Sequence, residues 1–361
     1  MTVIDDGLEG FTTSLYNALN HRKYTTKRVQ GIAPQRKRRR LTVPTETEES
    51  VDDVSSTEPR SSKMDDYGCV MYNPPLPSSE STTTQEEKRV LLLTLESDAS
   101  ISDLMKRTYA TQRVDVINCR PISKLRDVLV KWPHLKHPKF MFQHASTLLD
   151  KDVINVWTTE LSNKSSDIFQ FLNTLCLSLD RKRSVPSHIS DLLATKASCD
   201  ALDDGETVAS AIFPLIMWHL REKASAFLQV IKVGASDEDV LAAAKDANGN
   251  PVVVLSGDSI FDPNACVRVV LLKDEIIVAD NLLEGILYAF LSFFVFGFCY
   301  TPEVRHTLEF IQRSLLLINP GKGTKSSSKT RNAVSPKVSK FLEELRIFSS
   351  PWTLQSRQQQ G

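Results

Sequence analysis

Between Glu284 and Glu303 the chain carries "GILYAFLSFFVFGFCY", Gly285–Tyr300, 16 residues without a charge. A run this apolar has two homes, a bilayer or a protein core. As a helix it spans about 24 Å, short of the roughly 30 Å hydrocarbon thickness of a membrane. Acidic residues close it on both sides, and no basic cluster flanks it immediately. Strand-type runs precede it closely, "PVVVLSG" and "VRVVLLKDEIIVAD". A buried core helix is therefore expected. The alternative is a single-pass membrane anchor through residues 285–300.

The surroundings supply what such a helix would pack on. "TVASAIFPLIMWHLREK" reads as a helix bent or restarted at Pro214, and "AFLQVIKV" as a strand. "SDEDVLAAAKDA" is a helix with Ser236 as its cap and Glu238 and Asp239 in the first turn. "NGN" is a turn, "PVVVLSG" a buried strand and "VRVVLLKDEIIVAD" a strand pair or one long strand. "TPEVRHTLEFIQRSLLLI" is read as a helix starting at Thr301 with Pro302 in its first position. Strands interleaved with helices predict a small mixed α/β domain over 205–320.

Residues 85–180 read as helical. Ser100 with Asp103 suggests a capped start, with Ile101, Leu104, Met105, Thr108 and Tyr109 following at helical spacing. Pro121 opens another helix bearing Ile122, Leu125, Leu129 and Trp132, and Pro133 stops it. "FMFQHASTLLDKD" and "DVINVWTTEL" are short helices. Ser166 or Asp167 then caps a helix with Ile168, Phe171, Leu172, Leu175 and Leu179 on one face. Residues 181–204 form a polar linker. Residues 321–361 are a flexible basic tail in which "FLEELRIF" is a short helix.

The first 84 residues of the chain have another texture. Residues 1–20 hold a short amphipathic piece, "GFTTSLYNAL". From Arg22 to Arg40 there are nine basic residues and no acidic one; the acidic, Ser/Thr-rich "TVPTETEESVDDVSSTEPRSSKMDD" follows. Such composition buries too little apolar surface to offset its ordering entropy, so 21–84 is expected to be a disordered linker. The fold class is thus α+β or α/β: a disordered N-terminal arm, a helical middle region and a small mixed C-terminal domain.

The 44 basic and 44 acidic residues balance over the whole chain, so net charge says little about partners. Six cysteines, at 69, 119, 176, 199, 266 and 299, form no C-x-x-C pair. That usage fits a reducing compartment. "MTVIDDGLEGFTTSL" is acidic early and lacks the apolar stretch of a secretory signal.

Four motifs invite chemistry. "VVVLSGDSIFD" runs a strand into Gly-Asp-Ser, the opening of one class of serine hydrolases. That class also needs a histidine base, usually in Asp-x-x-His, and oxyanion donors. Downstream of Ser259 lies one histidine, His306, preceded at three residues by Glu303 rather than by an aspartate. Ser259 is read as a turn residue, with a hydrolase as the alternative. "NPGKGTKS" places Leu316 where a phosphate loop needs its first glycine, so nucleotide binding is not expected. His134, His137 and His144 with Cys119 match no zinc spacing. The reading assigns no catalytic, cofactor-binding or metal residues and no cofactor. The fourth motif, "PQRKRRRL", sets Arg36, Lys37, Arg38, Arg39 and Arg40 in a row between Pro34 and Pro44. It suits the acidic grooves of a nuclear import receptor. Contact with nucleic acid phosphates is the alternative.

"LMKRTYATQRVDVINCRPISKLRDVLVKWPHL", "AIFPLIMWHLREK", "PVVVLSGDSIFDPNACVRV" and "YTPEVRHTLEFIQRSLLLINPGKGTK" together resemble a family of vertebrate proteins. Its members are catalogued as similar to a sterile-alpha-motif-domain-containing protein. The likeness covers roughly residues 85–325. It implies a buried final helix pair and no membrane span, and it brings no catalytic residues. No sterile alpha motif is recognisable at the N-terminus. The function expected is a non-enzymatic nuclear interaction protein, binding protein or nucleic acid through its folded body, with the cytoplasm as the alternative location.

Overall fold

Apolar stripes at helical spacing and two-residue alternations build the body that the computed structural model describes, residues 73–119, 122–178, 185–199, 205–320 and 334–349. All belong to one compact unit, Arg60–Gly361. The basic run Arg36–Arg40 lies outside the described residues. The described residues hold twelve α-helices and one four-stranded mixed sheet.

α1 (Thr82–Leu92) starts three residues before the expected Gln85, because Ser81 and Thr84 form a reciprocal cap: the Thr84 N–H donates to Ser81 Oγ at 3.1 Å. α2 (Asp98–Arg107) begins after Ser97 rather than at Ser100. α3 (Tyr109–Asn118) and α4 (Leu125–Lys131) follow, and Pro133 ends α4 by opening a tight turn, Pro133–Lys136. α5 (Pro138–Leu149) has Pro138 in its first turn.

The next segment corrects the sequence reading. Two helices with a cap at Ser166 or Asp167 were expected; instead α6 (Val153–Ser178) is one helix of 26 residues, about 39 Å long. Ser and Asp favour caps because they compete for backbone hydrogen bonds. Here the stripe Val153, Trp157, Leu161, Ile168 and Leu172 stays buried through the supposed break. Packing overrides the cap signal. The linker expected over 181–204 also contains a helix, α7 (Ser187–Cys199), whose Ile189 is buried in the core. α8 (Gly205–Leu220) carries Pro214 inside it.

The α/β part opens with β1 (Leu228–Ile231), α9 (Asp237–Ala243) and β2 (Val252–Ser256). Ser236 caps α9 as expected, accepting the Asp239 N–H at 3.2 Å. β3 (Cys266–Leu271) and β4 (Glu275–Ala279) form a hairpin, so the "VRVVLLKDEIIVAD" run is the strand pair. The order is β1-β2-β3-β4, parallel between β1 and β2 and antiparallel beyond. All of β2 is buried because both faces are covered: Val252 and Val254 meet Val240 of α9 and Ala244 of the turn after it, while Val253 and Leu255 face the main core.

α10 (Leu282–Val295) lies on that main-core face, with Asn281 accepting the Glu284 N–H at 2.9 Å. At 14 residues it spans about 21 Å. Among the described residues no helix is long and apolar enough to cross a membrane. Protein, not lipid, covers this one: Ile286, Ala289, Phe290 and Phe293 are at most 1% exposed. α11 (Arg305–Phe310) continues into a wider turn, Ile311–Leu315. It starts at Arg305, not at Thr301. Its first N–H groups are met by a side chain from elsewhere: the Glu222 carboxylate accepts His306 N–H at 2.7 Å and Thr307 N–H at 2.8 Å. α12 (Pro336–Phe348) extends through the expected "FLEELRIF" and one turn before it, and Phe341 is fully buried.

One apolar core runs from Leu92 to Phe341 and unites the helices with the sheet. Trp157 of α6 stacks on Phe213 of α8 at 5.9 Å, and Phe142 of α5 meets Tyr288 of α10 at 6.5 Å. Polar ties cross the same seam. The Tyr288 hydroxyl donates to Leu135 O at 2.8 Å, Arg113 donates to Val295 O at 2.9 Å, and Lys136 pairs with Glu275 at 2.6 Å.

Candidate functional site

The Gly-Asp-Ser loop is built from its own side chains. β2 ends at Ser256, and the chain then turns over Gly257–Asn264. Asp262 organises the turn by accepting the Asp258 N–H at 3.1 Å and the Asn264 N–H at 2.9 Å. The Ser259 hydroxyl accepts the Phe261 N–H at 3.2 Å. Its chemistry is that of a turn.

His306, the sequence's one candidate base for Ser259, is engaged elsewhere. Its Nδ1 lies 2.8 Å from the Ser335 hydroxyl, just before α12, and its Nε2 faces Arg305 Nε at 3.5 Å. Arg305 can only donate, so the ring proton belongs on Nδ1 and is given to Ser335. A base needs the opposite polarity. Around this pair the Ser335 N–H donates to Glu309 at 3.2 Å, and Glu309 pairs with Arg313 at 3.0 Å. Lys337 donates to Leu220 O at 3.0 Å. These groups fasten α12 to α8 and α11, beside a ring cluster in which Phe341 stacks on Phe310 at 4.9 Å.

Burial sets the protonation here. It lowers His306 to about 4, with Arg305 and Lys337 adding to the effect. It raises Glu222 and Glu309 despite the donors that hold them. For His306 the folded ring binds fewer protons than an unfolded ring of ordinary value 6.5. Stability present above pH 6.5 is therefore lost as pH falls toward 4. The two glutamates act oppositely, because their folded forms take up protons sooner. His306→Asn isolates the histidine: stability lost between pH 7 and pH 4.5 should be smaller in the variant by roughly 2 kcal/mol. Urea unfolding at both pH values measures this, and an equal loss in both proteins would show that the ring is solvated.

Two of the histidines considered for zinc, His134 and His144, are engaged in packing contacts. His134 Nε2 lies 3.0 Å from Leu92 O, and buried His144 bonds Gln112 Oε1 through Nδ1 at 2.9 Å. Burial holds His144 neutral, far below its ordinary range. Among the described residues no group of three or more His, Cys, Asp or Glu is placed to hold a metal.

A cleft of about 730 Å³ lies between α5, α6, α8 and the amino-terminal half of α10. Phe142, Trp157, Leu161 and Leu287 give it an apolar wall, and Glu206 and Glu284 sit among its lining residues. The sequence reading did not find this cleft. Its walls come from four helices up to 148 positions apart (Lys139 to Leu287), and no spacing along one helix announces it.

Comparison with known proteins adds one finding. No curated protein and no solved structure matches the chain. A family model for the helical domain of sterile alpha motif domain-containing protein 3 matches residues 84–137, which are α1 to α4 and the turn after them. Residues 84–137 are therefore similar to that helical domain, and the match carries no sterile alpha motif with it.

Proposed function

We propose that this chain is a non-enzymatic interaction protein of the nucleus, taken up by an import receptor at Arg36–Arg40 and binding a protein partner through its folded body. The observation that supports nuclear import is the run itself. Five cations stand in a row between Pro34 and Pro44, which disfavour helix on either side and leave the run free to lie extended in an acidic groove. The non-enzymatic part is supported by the occupied state of the two residues that invited chemistry. Ser259 is held in a turn and His306 donates toward Ser335.

Replacing Lys37, Arg38 and Arg39 together with Ala in a fluorescently tagged full-length chain should abolish nuclear accumulation. Import by this run fails as an explanation if the variant accumulates as the parent does. Proximity labelling with the tagged parent then identifies the partner; nucleic acid recovered in place of protein would favour the phosphate-contact alternative.

A further inference from the structure

We propose that the cleft between α5, α6, α8 and α10 binds a small neutral alcohol, an alkyl or aryl body carrying one hydroxyl. Its volume, about 730 Å³, falls within the roughly 300–1,000 Å³ usual for small-molecule sites. Exposure divides the lining into a floor and a mouth. Phe142, Trp157, Leu161, Ser165, Ala209 and Leu287 are buried and form the floor. That floor is apolar but for one hydroxyl. Two of its rings are held by rings outside the lining: Trp157 stacks on Phe213 at 5.9 Å, and Phe142 meets Tyr288 at 6.5 Å. An apolar body therefore finds its wall already formed.

The hydroxyl on the floor selects the head. Ser165 is 4% exposed, and its O–H donates to Leu161 O at 2.6 Å within α6. With its proton spent, the oxygen can only accept. A ligand group that meets it must bring a proton to donate. That group must also be neutral. A charge set among Phe142, Trp157 and Leu287 loses its water and gains no counter-charge, since the described floor holds no ionisable side chain. The charged lining residues stand at the mouth instead. Lys139 and Glu206 are exposed and Glu284 is half-buried, within reach of water that screens them. A hydroxyl supplies the donor without the charge, and so fits both the acceptor and the apolar floor.

The test uses the full-length chain and four octyl probes: 1-octanol, octyl methyl ether, octanoate and octyltrimethylammonium. Titration calorimetry measures affinity, and tryptophan fluorescence with the Trp157→Phe variant as control reports where the probe sits. 1-Octanol should bind saturably and at least about tenfold more tightly than either ion. Ser165→Ala removes the acceptor and keeps the helix, alanine being the better helix former. It should weaken 1-octanol about threefold or more and leave the ether, which has no proton to donate, unchanged. No saturable binding of 1-octanol, an ion bound as tightly, an octanol affinity that Ser165→Ala leaves intact, or a loss shared equally by the ether would each overturn the proposal. A fluorescence response that persists in Trp157→Phe would place the probe elsewhere and overturn it too.

Discussion

Phe293→Asp should abolish cooperative folding of the described body. Phe293 sits in the middle of α10 at 1% exposure, edge-on to Tyr300 at 5.3 Å and to Phe298 at 6.0 Å. Removing a buried ring costs roughly 3–5 kcal/mol through lost burial and the cavity left behind. Placing an unpaired carboxylate there adds several more, about 2 or above even if it takes up a proton. The sum reaches the whole of an ordinary domain's stability, about 5–15 kcal/mol. Because a single core links α10 to α5, α8 and the sheet, the helices of residues 85–180 should lose protection together with the α/β part. Circular dichroism and urea unfolding measure the effect. Phe293→Leu, which keeps the site apolar, should remain folded. A soluble, cooperatively folded Phe293→Asp protein would show that the helix faces water.

Gly285→Leu should destabilise the protein by about 2–3 kcal/mol, the upper range for overpacking a core. A Cβ at position 285 would lie 2.7 Å from Val267 Cγ1, 3.4 Å from Val253 Cγ1 and 3.6 Å from Ala279 Cβ. These atoms belong to three adjacent strands, so the helix rests directly on the sheet at this point. Val267 and Val253 are buried and branched at Cβ, which leaves them little room to turn aside. Gly285→Ala separates the two effects. It gains about 1 kcal/mol of helix propensity over glycine and meets the same close contact, so it should fall between the parent and the Leu variant. Urea midpoints of the three proteins give the order. A Leu variant as stable as the parent would mean that α10 does not pack on the sheet here.

Legibility differed from element to element, and the reasons are physical. The capped start of α9 was readable because Ser236 and Asp239 interact across three residues. The run that forms β3 and β4 was readable as strand, but its apolar residues left a strand pair and one long strand equally open, and the antiparallel register settled it as the pair. The burial of α10 followed from its length against a bilayer. The supposed break at Ser166 was misread because a cap signal is worth only about 1 kcal/mol, less than continued burial of one long stripe. The start of α11 was misread for a different reason. Thr301-Pro302 is a sound local signal, yet the groups that satisfy the helix end sit on Glu222, more than eighty positions away.

The candidate sites divide along the same line. Arg36–Arg40 is a signal of composition and adjacency, complete within five residues of sequence. Ser259 read as a turn residue from the sequence because the hydrolase motif lacked its later blocks, and its hydroxyl accepts the Phe261 N–H within that turn. The bond between His306 and Ser335, and the cleft beside Glu284, had no trace in any local pattern.

By itself, the sequence determined most of the helix and strand segments, which apolar run must be buried, and that five basic side chains stand together. These are short-range matters, set by hydrogen bonding, side-chain period and charge within a few residues. Only the tertiary structure decided that residues 85–180 and 205–320 share one core, that His306 turns to Ser335, and that two carboxylates line one apolar cleft. Those outcomes depend on contacts between residues far apart in the chain. Apolar burial is non-directional and carries no sequence address, so the pairing of distant faces is settled by shape when the chain packs.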